Sequence, residues 1–251
     1  MSMPRYDFRS PRLHVEDPLT PGAQLTLGKP QAHYLCNVLR LKAGDSVLVF
    51  NGRDGEWRAT LGGNGKRTTL ALGEQTRPQT AAPDLHYLFA PLKHERLDYM
   101  VQKAVEMGVS RLQPVLTRHA QASRIKLERM RANAIEAAEQ CGIISLPEVG
   151  EPLSLERALA ARAPERLLVF CDEHAEVKDP VAALQAARQP GRAPPLAVLI
   201  GPEGGFAEDE RAALLKLPNV LRLSLGPRIL RADTAAVAAL ALVQGVLGDW
   251  T

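Results

Sequence analysis

The segment LIGPEGGF, Leu199 to Phe206, carries the clearest chemical signal in the sequence. An apolar run typical of a buried strand leads into three glycines and a proline, and a predicted helix follows. Ligands bind at the carboxyl ends of parallel strands, and glycine lets the backbone approach a ligand closely because it has no Cβ atom. A plain turn between a strand and a helix has the same pattern, so this segment alone leaves both interpretations open.

Acidic residues around this loop indicate the charge of its ligand. The glycine spacing matches neither of the common phosphate-binding patterns, Glu203 lies inside the loop, and Glu208–Glu210 begin the next predicted helix. Carboxylates suit the positive end of a helix dipole, but they would repel a triphosphate there. We therefore expect a cationic ligand, for which the sulfonium of S-adenosylmethionine is suitable.

A second segment of the same design, LSLGPRILRADTAA, runs from Leu223 to Ala236. Its apolar residues could flank an adenine ring, and Arg228 and Arg231 are cations beside them. These arginines could also be solvated, or could pair with Glu203 and Asp233. Two loops from successive strands can form one crevice. The predicted cofactor-binding residues are Leu199, Ile200, Gly201, Pro202, Glu203, Gly204, Gly205, Leu223, Ser224, Leu225, Gly226, Arg228, Ile229 and Leu230.

Other polar segments favour a structural interpretation. Lys93 to Val109 is typical of an amphipathic helix, and Glu136 to Gly142 is typical of a helix end. CDEH, Cys171 to His174, follows a predicted strand and is expected to be a polar strand exit. The six histidines show no metal-ligand spacing with a supporting Cys or Glu, so we expect no metal.

The sequence divides into two regions with different patterns, which predict two domains. Residues 1–76 contain short β-branched runs separated by glycine-bearing turns, with only Gln31–Leu39 helical, and they predict a small β-barrel. Residues 84–251 alternate apolar strands with amphipathic helices, which predicts an α/β domain with a mostly parallel sheet covered on both faces. Residues 77–83 are polar and contain proline, as expected of a linker.

Composition limits the class of protein. The chain has 251 residues, and its 45% hydrophobic content is ample for a large buried core. It has no apolar run of about 18 residues and no secretory h-region, and three cysteines without paired spacing suit a reducing cytoplasm. The net charge is +3, and the basic excess lies in residues 1–80, where a polyanion could dock. An ordinary solvated surface explains this charge equally well.

With these residues in view, the chain resembles the bacterial 16S ribosomal RNA uridine-N3 methyltransferase family of the SPOUT superfamily. The similar blocks follow the family order along nearly the whole chain, and the last two are specific in combination. They are Pro11–Val15, His33–Asp45, Lys93–Pro114, Glu136–Gly142, Leu199–Gly205 and Leu225–Ala235.

This resemblance implies an architecture and an activity. It implies an N-terminal PUA-like barrel that binds RNA, and a SPOUT domain whose chain is threaded into a deep trefoil knot around bound S-adenosylmethionine. It also implies an obligate homodimer that methylates N3 of a uridine in 16S ribosomal RNA of the small subunit. The last predicted helix, Ala232 to Leu247, is apolar nearly all round, as expected of a helix that packs internally and against a partner.

Catalytic roles follow from the chemistry of N3, which is a poor nucleophile until its proton leaves. We expect Arg231 to stabilise negative charge on the uridine carbonyls, and Glu203 or Asp233, from either subunit of a dimer, to accept the proton. Contacts to the RNA backbone are expected from Arg12, Arg40, Lys42, Arg53 and Arg118.

Three positions depart from the family pattern. Asp233 stands where the family often has glutamate, and Ile143 follows Gly142 where an arginine is common. A family arginine is shifted at the site of Arg118 and His119. These departures affect the acidic group and the RNA contacts, but they leave both predicted cofactor loops intact.

Three other functions remain compatible with the sequence. The chain could be a SPOUT methyltransferase that acts on transfer RNA or on another ribosomal position. It could be a non-catalytic RNA-binding or ribosome-assembly factor, although the intact GPEGG and LGPRILR segments favour an enzyme. It could also be a nucleotide-binding enzyme that holds phosphate at Gly201–Gly205.

Overall fold

Two structural units, each with its own β-sheet, make up the chain in a computed structural model that describes residues 7, 9–64, 67–120, 125–176, 179–188 and 194–250. The first unit comprises the chain up to Ala81 together with Ile135–Leu146. The second comprises Ala82–Ala134 and Pro147–Thr251. A short segment from the middle of the sequence is therefore part of the first unit, although sequence analysis assigned it to the region 84–251.

The first unit is built on a five-stranded mixed sheet. Its strands are β1 (Arg12–His14), β2 (Gln24–Thr26), β3 (Ser46–Phe50), β4 (Glu56–Asn64) and β5 (Arg67–Arg77). They lie in the order β1-β3-β4-β5-β2, with β1 and β3 parallel and the other neighbours antiparallel. Helix α1 (Lys29–His33) continues into a π-helical turn, Tyr34–Val38, which confirms the predicted helical segment.

A buried apolar cluster holds this unit together. Leu35, Val47, Val49 and Leu70 are completely buried in it, so the π-helical turn packs on the sheet through Leu35. The β4–β5 hairpin needs glycine at Gly63, where φ is +77° and a Cβ atom would lie 1.9 Å from the carbonyl oxygen of Arg67. The predicted turn chemistry therefore has a steric cause.

Residues 135–146 are fastened to the first unit by polar contacts. The backbone N–H of His14 donates to Oε1 of Glu139 at 2.7 Å, and burial raises the pKa of Glu139. The Arg77 guanidinium donates to the carbonyl oxygen of Gly142 at 2.9 Å. Because Arg77 also belongs to β5, these contacts tie the segment to the sheet.

The second unit is built on a seven-stranded sheet whose pairings are all parallel. Its strands are β6 (Leu85–Phe89), β7 (Arg111–Leu116), β8 (Glu148–Val149), β9 (Leu153–Ser154), β10 (Leu167–Cys171), β11 (Leu196–Ile200) and β12 (Val220–Leu223). The order is β12-β10-β11-β6-β7-β8, and β9 also pairs with β7. The two-residue strands β8 and β9 were not predicted, because two residues are too few to show a pattern.

Helices cover both faces of this sheet. They are α2 (His94–Glu106), α3 (Leu127–Cys141), α4 (Leu155–Ala160), α5 (Pro180–Ala186), α6 (Glu208–Leu215) and α7 (Ala232–Val246). Successive residues of a strand point to opposite faces. In β6, Leu88 packs in a cluster with residues of α4 and α6, whereas the Tyr87 hydroxyl meets the sulfur of Met100 on α2 at 3.0 Å.

The predicted α/β class with a parallel sheet is confirmed, and the trefoil knot stays a prediction. Strand β11 is buried along its whole length, as expected for a central strand covered on both faces. In the described part of the chain, helices long and apolar enough to cross a bilayer are absent.

Candidate functional site

Both predicted loops lie at the carboxyl edge of the parallel sheet. The first, residues 201–207, connects β11 to α6, and the second, residues 224–231, connects β12 to α7. Strand β10 lies between β11 and β12, so the two loops do not come from hydrogen-bonded neighbours. This edge is the expected location of a ligand site in a parallel sheet.

The first loop is shaped by its glycines and by Phe206. The Phe206 ring folds back over Gly201, where a Cβ atom would lie 2.5 Å from the ring. Phe206 also packs edge-on against Phe170 of β10, with ring centroids 5.3 Å apart. Gly205 has φ of +69°, and its N–H donates to the carbonyl oxygen of Pro202 at 2.9 Å. Glycine is therefore required at two points of the turn.

A turn after β7 holds this loop from one side. Nδ1 of His119 lies 3.1 Å from the carbonyl oxygen of Gly205, a contact that requires the Nδ1–H tautomer. The Arg118 N–H donates to Oε1 of Glu210 at 3.0 Å, and Oε2 of Glu210 accepts the N–H of Ala207 at the start of α6. The loop and the helix after it are thus fixed to the turn that follows β7, two strands away from β11 in the sheet.

The second loop is more exposed. Gly226 has φ of +101° with open space around the position of a Cβ atom, while Arg228 and Arg231 are exposed. Leu223, the last residue of β12, is buried, and Leu225 is half-buried. Ile229 is 100% exposed, so within one chain it does not form the apolar wall that the sequence predicted.

Arg96 joins the first loop to the start of α7, directly after the second loop, and sequence analysis missed it. Its guanidinium donates to Asp233 from Nε at 3.0 Å and from Nη2 at 3.4 Å, and its Nη1 contacts the Glu203 carboxylate. Arg96 lies in the first turn of α2, on a helical face whose polar pattern indicated only exposure to solvent. The cation that meets both carboxylates therefore comes from a third element of the same unit.

The contact with Arg96 favours the ionised form of Asp233. The hydrogen bond from Arg96 lowers the pKa of Asp233, and the N–H of Thr234 adds to the effect. The hydrogen bonds to Asp233 and Glu203 raise the pKa of the Arg96 guanidinium. Asp233 is consequently held ionised at the first turn of α7, where the helix dipole also favours a negative charge.

A cavity of about 310 Å³ opens between the end of β10 and the first loop. It is lined by Asp172, Glu173, His174, Gly204, Gly205, Phe206, Glu208 and Arg211. Burial opposes the ionisation of Asp172, but hydrogen bonds from Arg211, His174 N–H and Arg222 outweigh it and keep the pKa low. The end of β10 is a polar strand exit, as its sequence predicted.

The predicted RNA contacts have different surroundings. Arg12 is only 6% exposed and donates to Glu56 at 2.9 Å, so its guanidinium is committed to a buried ion pair, and the prediction that it contacts RNA is wrong. Arg40 and Lys42 are exposed, and Arg53 is exposed while donating to the carbonyl oxygen of Glu16. Exposed basic residues keep their charge accessible to a phosphate.

Arg118, the remaining predicted contact, lies in the second unit. It is exposed and forms an ion pair with Asp209 in the first turn of α6. Its contribution to RNA binding stays a prediction.

Two different family models match the two parts of the chain. A family described as "RNA methyltransferase domain" matches residues 79–244, and one described as "RNA methyltransferase PUA domain" matches residues 27–69. The Ribosomal RNA small subunit methyltransferase E of Synechocystis sp. is 32% identical over 90% of this chain and 74% of its own length. That of Rickettsia conorii is 29% identical over 93% of this chain and 94% of its own.

A solved structure extends the likeness to three dimensions. The crystal structure of a Ribosomal RNA small subunit methyltransferase E from Neisseria gonorrhoeae bound to S-adenosyl methionine has a TM-score of 0.83 and 25% identity, covering 97% of this chain and 100% of that chain. The fold and the two loops thus define an RNA methyltransferase. The chain belongs to the ribosomal RNA small subunit methyltransferase E family.

Proposed function

We propose that this chain is an S-adenosylmethionine-dependent methyltransferase that methylates N3 of a uridine in 16S ribosomal RNA. The observation that carries the proposal is the pair of glycine–proline loops at one sheet edge, joined through Glu203, Arg96 and Asp233. Family membership gives the reaction class, and the N. gonorrhoeae relative is bound to S-adenosyl methionine in its crystal structure.

The residues of the two loops fit such a methyl donor. Open space surrounds the Cβ position of Gly226, which leaves room for a ligand near the main chain of the second loop. The Glu203 carboxylate of the first loop and the Asp233 carboxylate at the start of α7 suit a ligand with positive charge. We propose the predicted residues Leu199–Gly205, Leu223–Gly226 and Arg228–Leu230 as the binding set. When bound, S-adenosylmethionine supplies the methyl group carried on its sulfonium.

The protein's own task is to expose and activate the uridine. N3 lies on the pairing edge, so the base must be unpaired or flipped out to reach the site. We propose that exposed Arg231 stabilises the negative charge that spreads onto the uridine carbonyls as N3 loses its proton. Glu203 and Asp233 are the candidate acceptors of that proton.

The first unit is proposed to hold the RNA. Arg40, Lys42 and Arg53 are exposed on the unit that contains the PUA-domain match, and we keep Arg118 as a further contact. In this proposal residues 1–76 are the RNA-binding region, 77–83 the linker and 84–251 the catalytic region, with 135–146 attached to the first. Contacts to phosphates make the affinity for RNA fall as salt is added. The substrate being ribosomal RNA, we place the enzyme in the cytoplasm.

We also propose a homodimer that forms through α7. Half-buried apolar residues, Val237, Ala238, Ala241 and Leu242, lie on the helix face opposite its buried residues. Fully exposed Ile229 precedes this helix, and Trp250, 55% exposed, follows it. A second copy would cover these apolar side chains and would complete the wall that Ile229 does not form within one chain.

Two measurements test the proposed function. Calorimetry should detect S-adenosylmethionine binding, whereas no binding would favour a ribosome-assembly factor and preferential ATP binding would favour a nucleotide enzyme. Mass spectrometry of 16S ribosomal RNA nucleosides should find N3-methyluridine missing from a deletion strain and restored with the gene. An unchanged nucleoside in the deletion strain, or a loss confined to transfer RNA, would contradict the assignment.

A further inference from the structure

The two loops of the site follow strands that are not direct neighbours, and β10 connects these strands through its ladders to both. They follow β11 and β12, and β10 lies between these strands, so no ladder of hydrogen bonds runs directly from one loop-bearing strand to the other. The second loop is also exposed from Gly226 to Ile229. A side-chain contact between the two segments would add to the indirect connection that β10 provides.

Arg96 makes that contact with both ends of its guanidinium. The Nε and Nη2 atoms face the two carboxylate oxygens of Asp233 at 3.0 and 3.4 Å, and Nη1 contacts Glu203. A planar guanidinium with several fixed donors can hold two carboxylates in a defined geometry, which a lysine ammonium does less well. Asp233 is held in turn, because its Oδ1 accepts the N–H of Thr234 at 2.8 Å.

Arg96 itself is anchored in a rigid element. Helix α2 contacts the sheet through Met100, whose sulfur meets the Tyr87 hydroxyl of β6, and Val101 and Ala104 of the same helix are fully buried. Arg96 lies in its first turn and its side chain is 31% exposed, so it reaches the loops from a fixed base. Arg96 therefore extends from a packed helix, α2, to hold Glu203 and Asp233 in place.

We propose that Arg96 is a positioning residue of the methyl-donor site, which sets the separation of the two loops and the orientation of the Glu203 carboxylate. The inference rests on the proposed function and adds a third element, α2, to the site. Arg96 acts through Glu203 and Asp233, and it needs no contact with the uridine.

The test compares substitutions of Arg96 with a matched substitution in another ion pair that also involves helix α2. Arg129 on α3 donates to Asp98 of α2 at 3.0 Å, an ion pair of similar chemistry away from the loops. The variants Arg96→Met, Arg96→Lys, Asp233→Asn, the double variant Arg96→Met/Asp233→Asn and the control Arg129→Met are titrated with S-adenosylmethionine by calorimetry. Thermal unfolding is measured on each.

We expect Arg96→Met to raise the Kd for S-adenosylmethionine at least about tenfold, which is the effect of about 1.4 kcal/mol. Arg96→Lys should give an intermediate Kd, and Arg129→Met should bind like the wild type with a similar thermal midpoint. The double variant should bind no more weakly than Arg96→Met alone, because both substitutions break the same connection.

Three results would overturn the inference. One is a Kd for Arg96→Met within twofold of the wild type, and another is a double variant whose loss equals the sum of the single losses. If Arg96→Met does not fold, a Kd equal to that of the wild type in the Arg96→Lys variant would also overturn the inference. A wild-type protein that binds no S-adenosylmethionine would instead overturn the proposed function and this inference with it.

Discussion

Arg96 contacts both carboxylates that are candidate proton acceptors, Glu203 and Asp233. The pKa of Asp233 is lowered by the hydrogen bond from Arg96, and a carboxylate with a lowered pKa is a weaker base. Asp233 also accepts the N–H of Thr234 at the start of α7. These contacts make proton acceptance by Asp233 less favourable, and both carboxylates hold Arg96.

Arg231→Ala tests the proposed stabilisation of the uridine. Removing this exposed cation should lower the rate of methyl transfer about 100-fold or more, because it removes charge stabilisation in the transition state. The Kd for S-adenosylmethionine should change little. Single-turnover methylation and calorimetry measure the two effects, with Arg157→Ala on α4 as the control. Equal losses of rate and donor affinity would move Arg231 to a binding role.

The role of a single residue can be predicted from the sequence where local backbone geometry determines it. It cannot be predicted where a partner distant in sequence determines it. The tight glycine turn of the first loop was predicted, and at Gly201 the structure shows one reason for glycine, the close approach of Phe206, while cofactor binding stays a prediction. Arg12 was misjudged because nothing near it in sequence indicates its buried partner Glu56, which is 44 residues away. Arg96 was missed for the same reason, since Asp233 is 137 residues away.

At the scale of elements, Asp172 joins three of them at the edge of the sheet. It follows β10, is 2% exposed, and accepts hydrogen bonds from Arg211 of α6 at 2.9 Å and Arg222 of β12 at 2.8 Å. These arginines are partly exposed, so solvent screens part of the interaction. The group fixes the cavity wall beside the first loop.

Asp172→Asn should lower the free energy of unfolding by about 2–3 kcal/mol, because two guanidinium groups lose a buried charged partner. Urea unfolding measures the change. Glu148→Gln, which breaks the exposed pair with Arg111, is the control and should cost about 1 kcal/mol or less. A loss of the same size in both variants would show that the Asp172 group adds no special stability.

The same aspartate makes stability depend on pH. Its pKa is lower in the folded chain than in the unfolded chain, so its stabilisation is present above about pH 3.9, the ordinary value. It is lost as the pH falls through the folded pKa. Acid unfolding should therefore be steeper for the wild type than for Asp172→Asn below about pH 4. Parallel curves for the two proteins would contradict this assignment.

Elements were predicted well where a periodic pattern is long. Helix α2 and strand β11 have the predicted type and nearly the predicted ends, since amphipathic spacing and a continuous apolar run are strong signals. The pattern of α3 also predicts a helix, but periodicity cannot tell which sheet each of its turns packs against. Its assignment to two units at Ala134 and Ile135 depends on tertiary contacts alone.

On the scale of the whole molecule, the proposed homodimer has a direct test. Leu242→Arg places a charge on the half-buried apolar face of α7 and should convert a dimer into a monomer with much reduced methyl transfer. Analytical ultracentrifugation measures the change. Leu215→Arg, at a 40% exposed leucine of α6, is the control and should remain dimeric. A wild-type monomer at micromolar concentration would refute the dimer.

At the scale of the whole molecule, too, the sequence was sufficient to predict some features and not others. The alternation of strands and helices after residue 84 was sufficient to predict a parallel sheet, because parallel strands need crossover connections. The strand order, in which β10 lies between β11 and β12, was not predictable, since local patterns contain no information on which strands become neighbours. Knowledge of the family added the reaction and the RNA, which patterning alone did not provide.

The grouping of residues 135–146 with the first unit has a consequence for biosynthesis. A nascent chain emerges from its N-terminus, and domains generally fold in that order as they are completed. Here the first 81 residues contain Glu56, the ion-pair partner of Arg77, but they still lack two further partners that His14 and Arg77 have in the complete unit. Those partners, Glu139 and Gly142, arrive only after β6, α2 and β7 have been translated. Translation of the first unit therefore begins first, but its fold is complete only after residues 135–146 have been translated.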